Sequence, residues 1–405
     1  MQKGALGKGL FVGVFFICML VYSGLSFRQT WPLVEEYFAG REGFTVNTLK
    51  DDISSIEGFI TENSYARYDC IEIYGTLSRM IGKTEINSFE YALDDYGGYS
   101  LVNFSDSVDT MDYKLVAERI LAFKKDANDH GAKFMYLQSP NRIDENWNPG
   151  SKNIPYDVKN EKADKLIAWM ERFGIDCLDF RETLKNSGMT YQEMFYNTDH
   201  HWTGMAAFVA YQDLVKHMNE KYGAGLDPDG YYTNIDNYDV SYWNHTYLGS
   251  AGRNVGYSFG NANDVMQLVV PKFHGNISWL GYSGDYKDTV FRYNKLDADN
   301  PYLSDSYGFY LYGVAKEESI VNNDNPDGLR ILFVRDSYMS PIIIDMIPFC
   351  SQMDCYWGLY VDEDVLKEKV ATGNYDYVIL SYGNLNIEQS SFNFYTDLGK
   401  EPTEG

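Results

Sequence analysis

Leu329-Arg330-Ile331-Leu332-Phe333-Val334 runs directly into Arg335-Asp336-Ser337-Tyr338, and Pro341 to Phe349 then reads as a helix. A short apolar run of this length, bounded by a polar turn, fits a strand buried within a sheet. Working outward, the same alternation recurs. Tyr113 to His130 reads as a helix with Leu115, Val116, Ile120, Leu121 and Phe123 on one side; Gly131 ends it and Lys133 to Leu137 is a short buried strand. A helix over 161–173 precedes a strand over 175–180, and a helix over 362–371 precedes a strand from Tyr375 to Ser381. Strands alternating with helices predict a three-layer α/β fold with a mostly parallel sheet.

In such sheets the functional loops leave the carboxyl ends of the strands. Asn141, Ser337 and Tyr382 to Asn386 occupy that position, and Asp199 to Trp202 come after another strand. Ser337 sits in the turn between strand and helix, where its hydroxyl is presented and nearby N–H groups can receive an oxyanion. Taken alone, a serine there is equally a helix N-cap.

The stretch Tyr196-Asn197-Thr198-Asp199-His200-His201-Trp202-Thr203-Gly204 changes that balance, in a chain with six histidines. Thr203 is a natural N-cap for a helix carrying Ala206, Ala207, Leu214, Val215 and Met218. Asp199 to Trp202 therefore belong to the entering loop. Side chains at i and i+2 of an extended loop share a side, so Asp199 is expected to orient the His201 imidazole. An oriented, basic imidazole is what an inert serine hydroxyl needs.

Bulk properties set the surroundings. The 405 residues suit one large domain or two ordinary ones, and 44% hydrophobic content supports a real core. A net charge of −24 argues against nucleic acid, because phosphate binding needs a basic face. The 35 tyrosines, 7 tryptophans and 23 phenylalanines suit stacking on sugars or, more plainly, filling core and covering loops. Residues 224–327, rich in Gly, Asn, Asp and Tyr, are too long for a structureless loop; they read as an insertion with strands of its own, Val265 to Val270 among them.

Lys3 and Lys8 precede an uncharged run from Gly9 to Phe27, with Arg28 after it. The run approaches the about 20 residues that span a bilayer. Its flanking charge puts the N-terminus in the cytoplasm, and no A-x-A site follows, which favours an uncleaved anchor over a cleaved signal. The expected organisation is a cytoplasmic tip and transmembrane anchor over 1–28, a membrane-proximal helical segment over 29–95, and a catalytic domain over 96–405 outside the cytoplasm. Of five cysteines, Cys350 and Cys355 are close enough in sequence to close a small disulfide loop, while no C-x-x-C pair suggests structural zinc.

The D-H-H-W run followed by T-G-x-A-A resembles the DHHW proteins, relatives of the bacterial alginate O-acetyltransferase proteins of SGNH-hydrolase-like type. The resemblance covers roughly residues 96–405. It implies that Asp199 and His201 are acid and base, Trp202 the matching indole and Ser337 the nucleophile. It departs at Arg335, where SGNH hydrolases have glycine before the D-S pair. Their G-x-N-D block has only a loose counterpart in Tyr382-Gly383-Asn384. Asn141 and Asn384 are then oxyanion candidates or turn caps, Tyr382 an acyl contact or a packing residue, His200 an outward-facing residue or a substrate contact, and Trp202 and Arg335 further substrate or oxyanion candidates. The resemblance further implies acetyl transfer to a surface or exported polysaccharide, with acyl groups supplied by a membrane-bound O-acyltransferase; transferase and esterase outcomes stay open. It calls for no cofactor and no metal. Two other classes remain: a non-catalytic glycan-binding or assembly protein of an export complex, and a metal-dependent phosphoesterase built on the Asp-His-His run.

Overall fold

The computed structural model describes residues 2–40, 49–102, 107–144, 154, 157–260, 264–297, 299–313 and 315–397. The chain divides into two compact units, Met1–Leu77 and Ser78–Gly405. The first holds the helices Gln2–Ala39 and Leu49–Glu62 and most of Arg67–Met80. Gly9–Ala39 is long and apolar enough to cross a membrane, with a mean hydropathy of 2.2 and 6% of its apolar window buried. A helix meets its backbone hydrogen bonds internally, which is the condition for lying in lipid. Of the segment expected over 29–95, residues 41–48 lie outside the described residues, and its last stretch folds into strands of the second unit.

Those strands, β1 (Glu85–Ile86), β2 (Tyr91–Leu93) and β3 (Tyr99–Leu101), form a small antiparallel sheet. The main sheet uses β4 (Lys133–Gln138) and β5 (Cys177–Asp179). A separate two-stranded sheet pairs β6 (Tyr238–Tyr247) with β7 (Asp264–Pro271). The remaining strands, β8 (Ile277–Trp279), β9 (Tyr282–Gly284), β10 (Glu317–Asn322), β11 (Leu329–Arg335), β12 (Cys350–Trp357) and β13 (Tyr377–Tyr382), complete an eight-stranded sheet in the order β5-β4-β13-β11-β12-β10-β8-β9. From β5 to β12 all pairs are parallel; from β12 to β9 all are antiparallel.

The α/β expectation holds, with one addition. Residues 224–327 do more than sit beside the sheet, since three of its eight strands, β8, β9 and β10, come from them. Short antiparallel strands need no crossover helix, so they give none of the helix–strand rhythm that marks the parallel half. Residues 261–263, 298 and 314 of this segment lie outside the described residues.

Alternation along β11 builds the layers. Ile331 and Phe333 join one core with Ala206, Ala210 and Leu214 of the helix Gly204–Tyr222 and with Ile342 and Ile343 of the helix Ser340–Met346. Leu332 and Val334 join the other with Val116, Ile120, Ala163, Leu166 and Leu366 from three helices on the opposite face. Ile331 to Val334 is buried on both faces, which is why these four positions form an unbroken apolar run with no polar alternation.

The expected Cys350–Cys355 loop does not form: both thiols are free and lie on the same strand, β12. Five residues of extended chain separate them by about 16 Å, beyond the roughly 7 Å between α-carbons that a disulfide can bridge.

Candidate active site

Two loops at the carboxyl edge of the sheet are fastened together. The first enters the helix Gly204–Tyr222, whose N-cap Thr203 accepts from Ala206 N. The second is the turn after β11, where the Asp336 side chain accepts from Tyr338 N and caps a 3-10 turn, Ser337–Met339. Trp202 Nε1 donates to the Tyr338 carbonyl at 3.2 Å, and the Tyr338 hydroxyl donates to the His200 carbonyl. These reciprocal bonds fix the distance between the loops.

Between them runs a continuous hydrogen-bonded chain. His201 Nε2 lies 2.6 Å from Ser337 Oγ, and His201 Nδ1 lies 2.6 Å from Asp199 Oδ1. The i, i+2 expectation for Asp199 and His201 is what the backbone provides. Oδ1 also accepts from His201 N at 2.9 Å, and Oδ2 accepts from the Tyr247 hydroxyl at 2.6 Å and from Ser250 N at 2.9 Å. Burial alone would raise the Asp199 pKa; the adjacent imidazoles and these donors outweigh it and hold the carboxyl well below the usual range. The Tyr307 ring stacks on His201 with centroids 3.7 Å apart and planes 8° from parallel. The imidazole is thus clamped at one edge by a carboxylate and on one face by a phenol.

Four residues of this clamp, Tyr247, Gly249, Ser250 and Tyr307, come from residues 224–327. Gly249 matters for space, since its φ of −71° suits any residue. A Cβ there would stand 2.3 Å from Asp199 Cβ and 2.4 Å from Oδ2. Gly249→Ala is therefore expected to push Asp199 off His201 and lower the reactivity of Ser337 toward an acylating probe on the order of a hundred-fold, measured as the rate of adduct formation beside a thermal melt showing the chain still folded.

Ser337 is half-buried and opens into a cavity of about 750 Å³, which His200, Asp336, Trp357 and Asn386 also line. His200 Nδ1 lies 2.9 Å from Ser250 Oγ; burial and the neighbouring His201 push its pKa down to about 3, leaving it neutral.

The other candidates lie elsewhere. Trp202 is fully buried and serves as the loop fastener described above. The Asn141 amide reaches Asp157 at 3.4 Å. Asn384 accepts from Gln138 and donates to Asn160, so its amide is held in a buried network. The Tyr382 hydroxyl donates to the Ser391 carbonyl at 2.9 Å, and its ring packs in the core. Arg335 is fully buried and pairs with Glu318. None of these five lines the cavity. Asn386 does: its amide donates to Asp336 Oδ2 at 2.8 Å, beside Gly383 N at 2.6 Å. Arg142, next to Asn141, donates to the carbonyls of Tyr196, Asn197 and Asp199 and so braces the histidine loop.

Among the described residues, Asp199, His200 and His201 form the one group of His, Cys and acidic side chains that could hold a metal ion. The fit is poor. Asp199 already accepts four hydrogen bonds, which fills the lone pairs of a carboxylate, and Nδ1 of His201 is engaged by it.

Sheet order, a serine at the carboxyl end of a central strand and the histidine loop together define an SGNH-hydrolase-like α/β fold. Residues 108–238 match the family described as SGNH hydrolase-like domain, acetyltransferase AlgX. Among solved structures, a DHHW family protein from Eubacterium siraeum is 14% identical with a TM-score of 0.54, covering 75% of this chain and 93% of that one. Bacillus cereus PatB1, solved with a sulfonyl adduct, is 14% identical with a TM-score of 0.58, covering 75% and 99% respectively. No curated protein matches the chain.

Proposed function

We propose that the chain is a membrane-anchored serine O-acyltransferase, with esterase activity as its water reaction, acting outside the cytoplasm on a polysaccharide. The observation that carries this reading is the Ser337–His201–Asp199 chain, closed by two 2.6 Å contacts at the wall of a cavity. The family matched by residues 108–238 is one of acetyltransferases, which supports acetyl as the acyl group.

The steps follow from the geometry. His201 Nε2 takes the Ser337 proton as Oγ bonds to the acyl carbon of a donor ester or thioester. The imidazolium then protonates the leaving oxygen or sulfur, and the acyl–heteroatom bond breaks to leave an acyl-serine. A sugar hydroxyl entering the cavity gives its proton to His201 and attacks the acyl carbon; the acyl–Oγ bond breaks and the imidazolium returns the proton to Oγ, restoring Ser337. Asp199 holds the imidazole tautomer with Nε2 free to accept. The Ser337 N–H opens the 3-10 turn, where no intrahelical carbonyl can satisfy it, and so is the first oxyanion donor. The helix Gly9–Ala39 is compatible with an anchor. With Lys3 and Lys8 on the cytoplasmic side, the acyl donor would reach the site through a membrane-bound O-acyltransferase partner.

The test is intact-mass analysis of the detergent-purified chain after p-nitrophenyl acetate, followed by peptide mapping. One acetyl group on the peptide carrying Ser337, together with nitrophenol release, is the expected result. A folded chain with neither adduct nor turnover would move the assignment to a non-catalytic glycan-binding or assembly role.

A further inference from the structure

The cavity beside Ser337 carries information about the acceptor. Its charged lining residues, among those described, are Glu90, Glu388, Asp336 and Lys159. The single cation is already committed: Lys159 Nζ donates to Asp157 Oδ2 at 2.7 Å and to the Leu101 carbonyl at 3.1 Å. Asp336 is likewise turned inward, accepting from Gly383 N, Asn386 and Tyr338 N. Glu388 is partly offset by Lys162 at 2.8 Å. Glu90 is exposed and has no ion-pair partner among the described residues. The neutral His200 adds no positive charge.

The rest of the lining is largely apolar. Phe89, 48% exposed, and Trp357 supply aromatic surface, with Leu101, Val102 and Leu359 around them. Aromatic surface of this kind suits the C–H faces of sugar rings. Beyond the cavity, the net charge of −24 extends a field that repels anions. A polyuronate brings one carboxylate per sugar and would find no uncommitted cation among the described lining residues to pair with, while losing hydration at each buried carboxylate.

Building on the acyltransferase reading, we infer that the acceptor is an uncharged or amino-bearing polysaccharide, and that polyanionic glycans are rejected at the cavity. Rejection resides in carboxylate-to-carboxylate repulsion at the rim, with Glu90 the most accessible contributor. It is therefore sensitive to salt and to the charge at position 90.

The experiment uses the full chain in detergent, p-nitrophenyl acetate as acyl donor, and cello-oligosaccharide, chitosan oligosaccharide and oligouronate of matched length. Acetylated oligomer is read by mass. Nitrophenol release is read in the same tubes, so an oligomer that binds without reacting still registers as altered ester turnover. At low salt, the uronate is expected to trail the other two by about ten-fold or more in acceptor efficiency. High salt should narrow the gap, and Glu90→Lys should raise the uronate-to-glucan ratio. Equal response to all three oligomers, preference for the uronate, or a gap indifferent to both salt and Glu90→Lys would overturn the inference. Failure of p-nitrophenyl acetate to acylate the chain would instead remove the acyltransferase reading beneath it.

Discussion

Ser337→Ala will eliminate the acyl adduct and lower ester kcat on the order of 10⁶-fold, and Asp199→Asn will lower it about 10⁴-fold. The alanine removes the oxygen that His201 Nε2 contacts at 2.6 Å. Asparagine keeps the shape of Asp199 but cannot accept at every position the carboxylate now uses. With its oxygen facing His201, its amide meets the Tyr247 hydroxyl and Ser250 N, which donate at 2.6 and 2.9 Å in the wild type. Tyr247 can rotate its proton away; Ser250 N–H cannot, and a buried donor left unpaired costs about 1–3 kcal/mol. With its amide facing His201, the imidazole tautomer reverses and Nε2 carries a proton it must not have. The double variant should be no slower than Ser337→Ala alone, because the residues act as one unit.

The same variant has a pH signature in stability. A carboxyl depressed in the folded chain contributes stability above its unfolded pKa and loses it as pH falls through the folded value. Asp199 is depressed below 3.8. The urea-midpoint gap between wild type and Asp199→Asn should therefore stand at neutral pH and begin to shrink only as pH drops past that value. A gap that closes already near neutrality would assign the titration to another group.

How much of this could be read from the chain depended on sequence distance. Leu329 to Ser337 announces itself because four successive apolar residues, Ile331 to Val334, fill both faces of a buried strand and the turn follows close behind. Asp199 and His201 are two residues apart, so backbone geometry alone aligns them. Tyr247, Gly249, Ser250 and Tyr307 lie 46 or more positions beyond His201 in a segment without periodicity, and nothing local marks a residue that acts only on a distant loop. Asn141 and Asn384 sit at the predicted edge of the sheet; whether an amide there faces a cavity or a buried partner is decided by Asp157, Asn160 and Gln138. Arg335 is different, since its face was legible. Alternation from Ile331 and Phe333 sends it into the core they share rather than toward a substrate.

That orientation makes Arg335 the site of the largest expected loss of stability. Arg335 and Glu318 are both fully buried and paired, joining β11 to β10 across β12. Glu318 Oε2 also accepts from Trp279 Nε1 at 2.7 Å, and the guanidinium donates to Ser340 Oγ at 2.9 Å and the Gly313 carbonyl at 3.1 Å. A third bond, to the Asp336 carbonyl at 3.3 Å, ties it to the turn carrying Ser337. Arg335→Met would strand a carboxylate in the core and should cost about 3–5 kcal/mol. Adding Glu318→Gln removes the orphan charge yet keeps an amide oxygen for Trp279, so the double variant should recover much of the loss, because a buried pair is worth less than the penalty for breaking it. Urea midpoints of the full chain in detergent decide the matter. A double variant as unstable as Arg335→Met would show that the guanidinium's bonds to Gly313, Ser340 and Asp336, rather than the ion pair, hold this part of the sheet. Ester turnover measured alongside separates the two roles, since a refolded double variant that stays slow would place the Ser337 turn under Arg335's control.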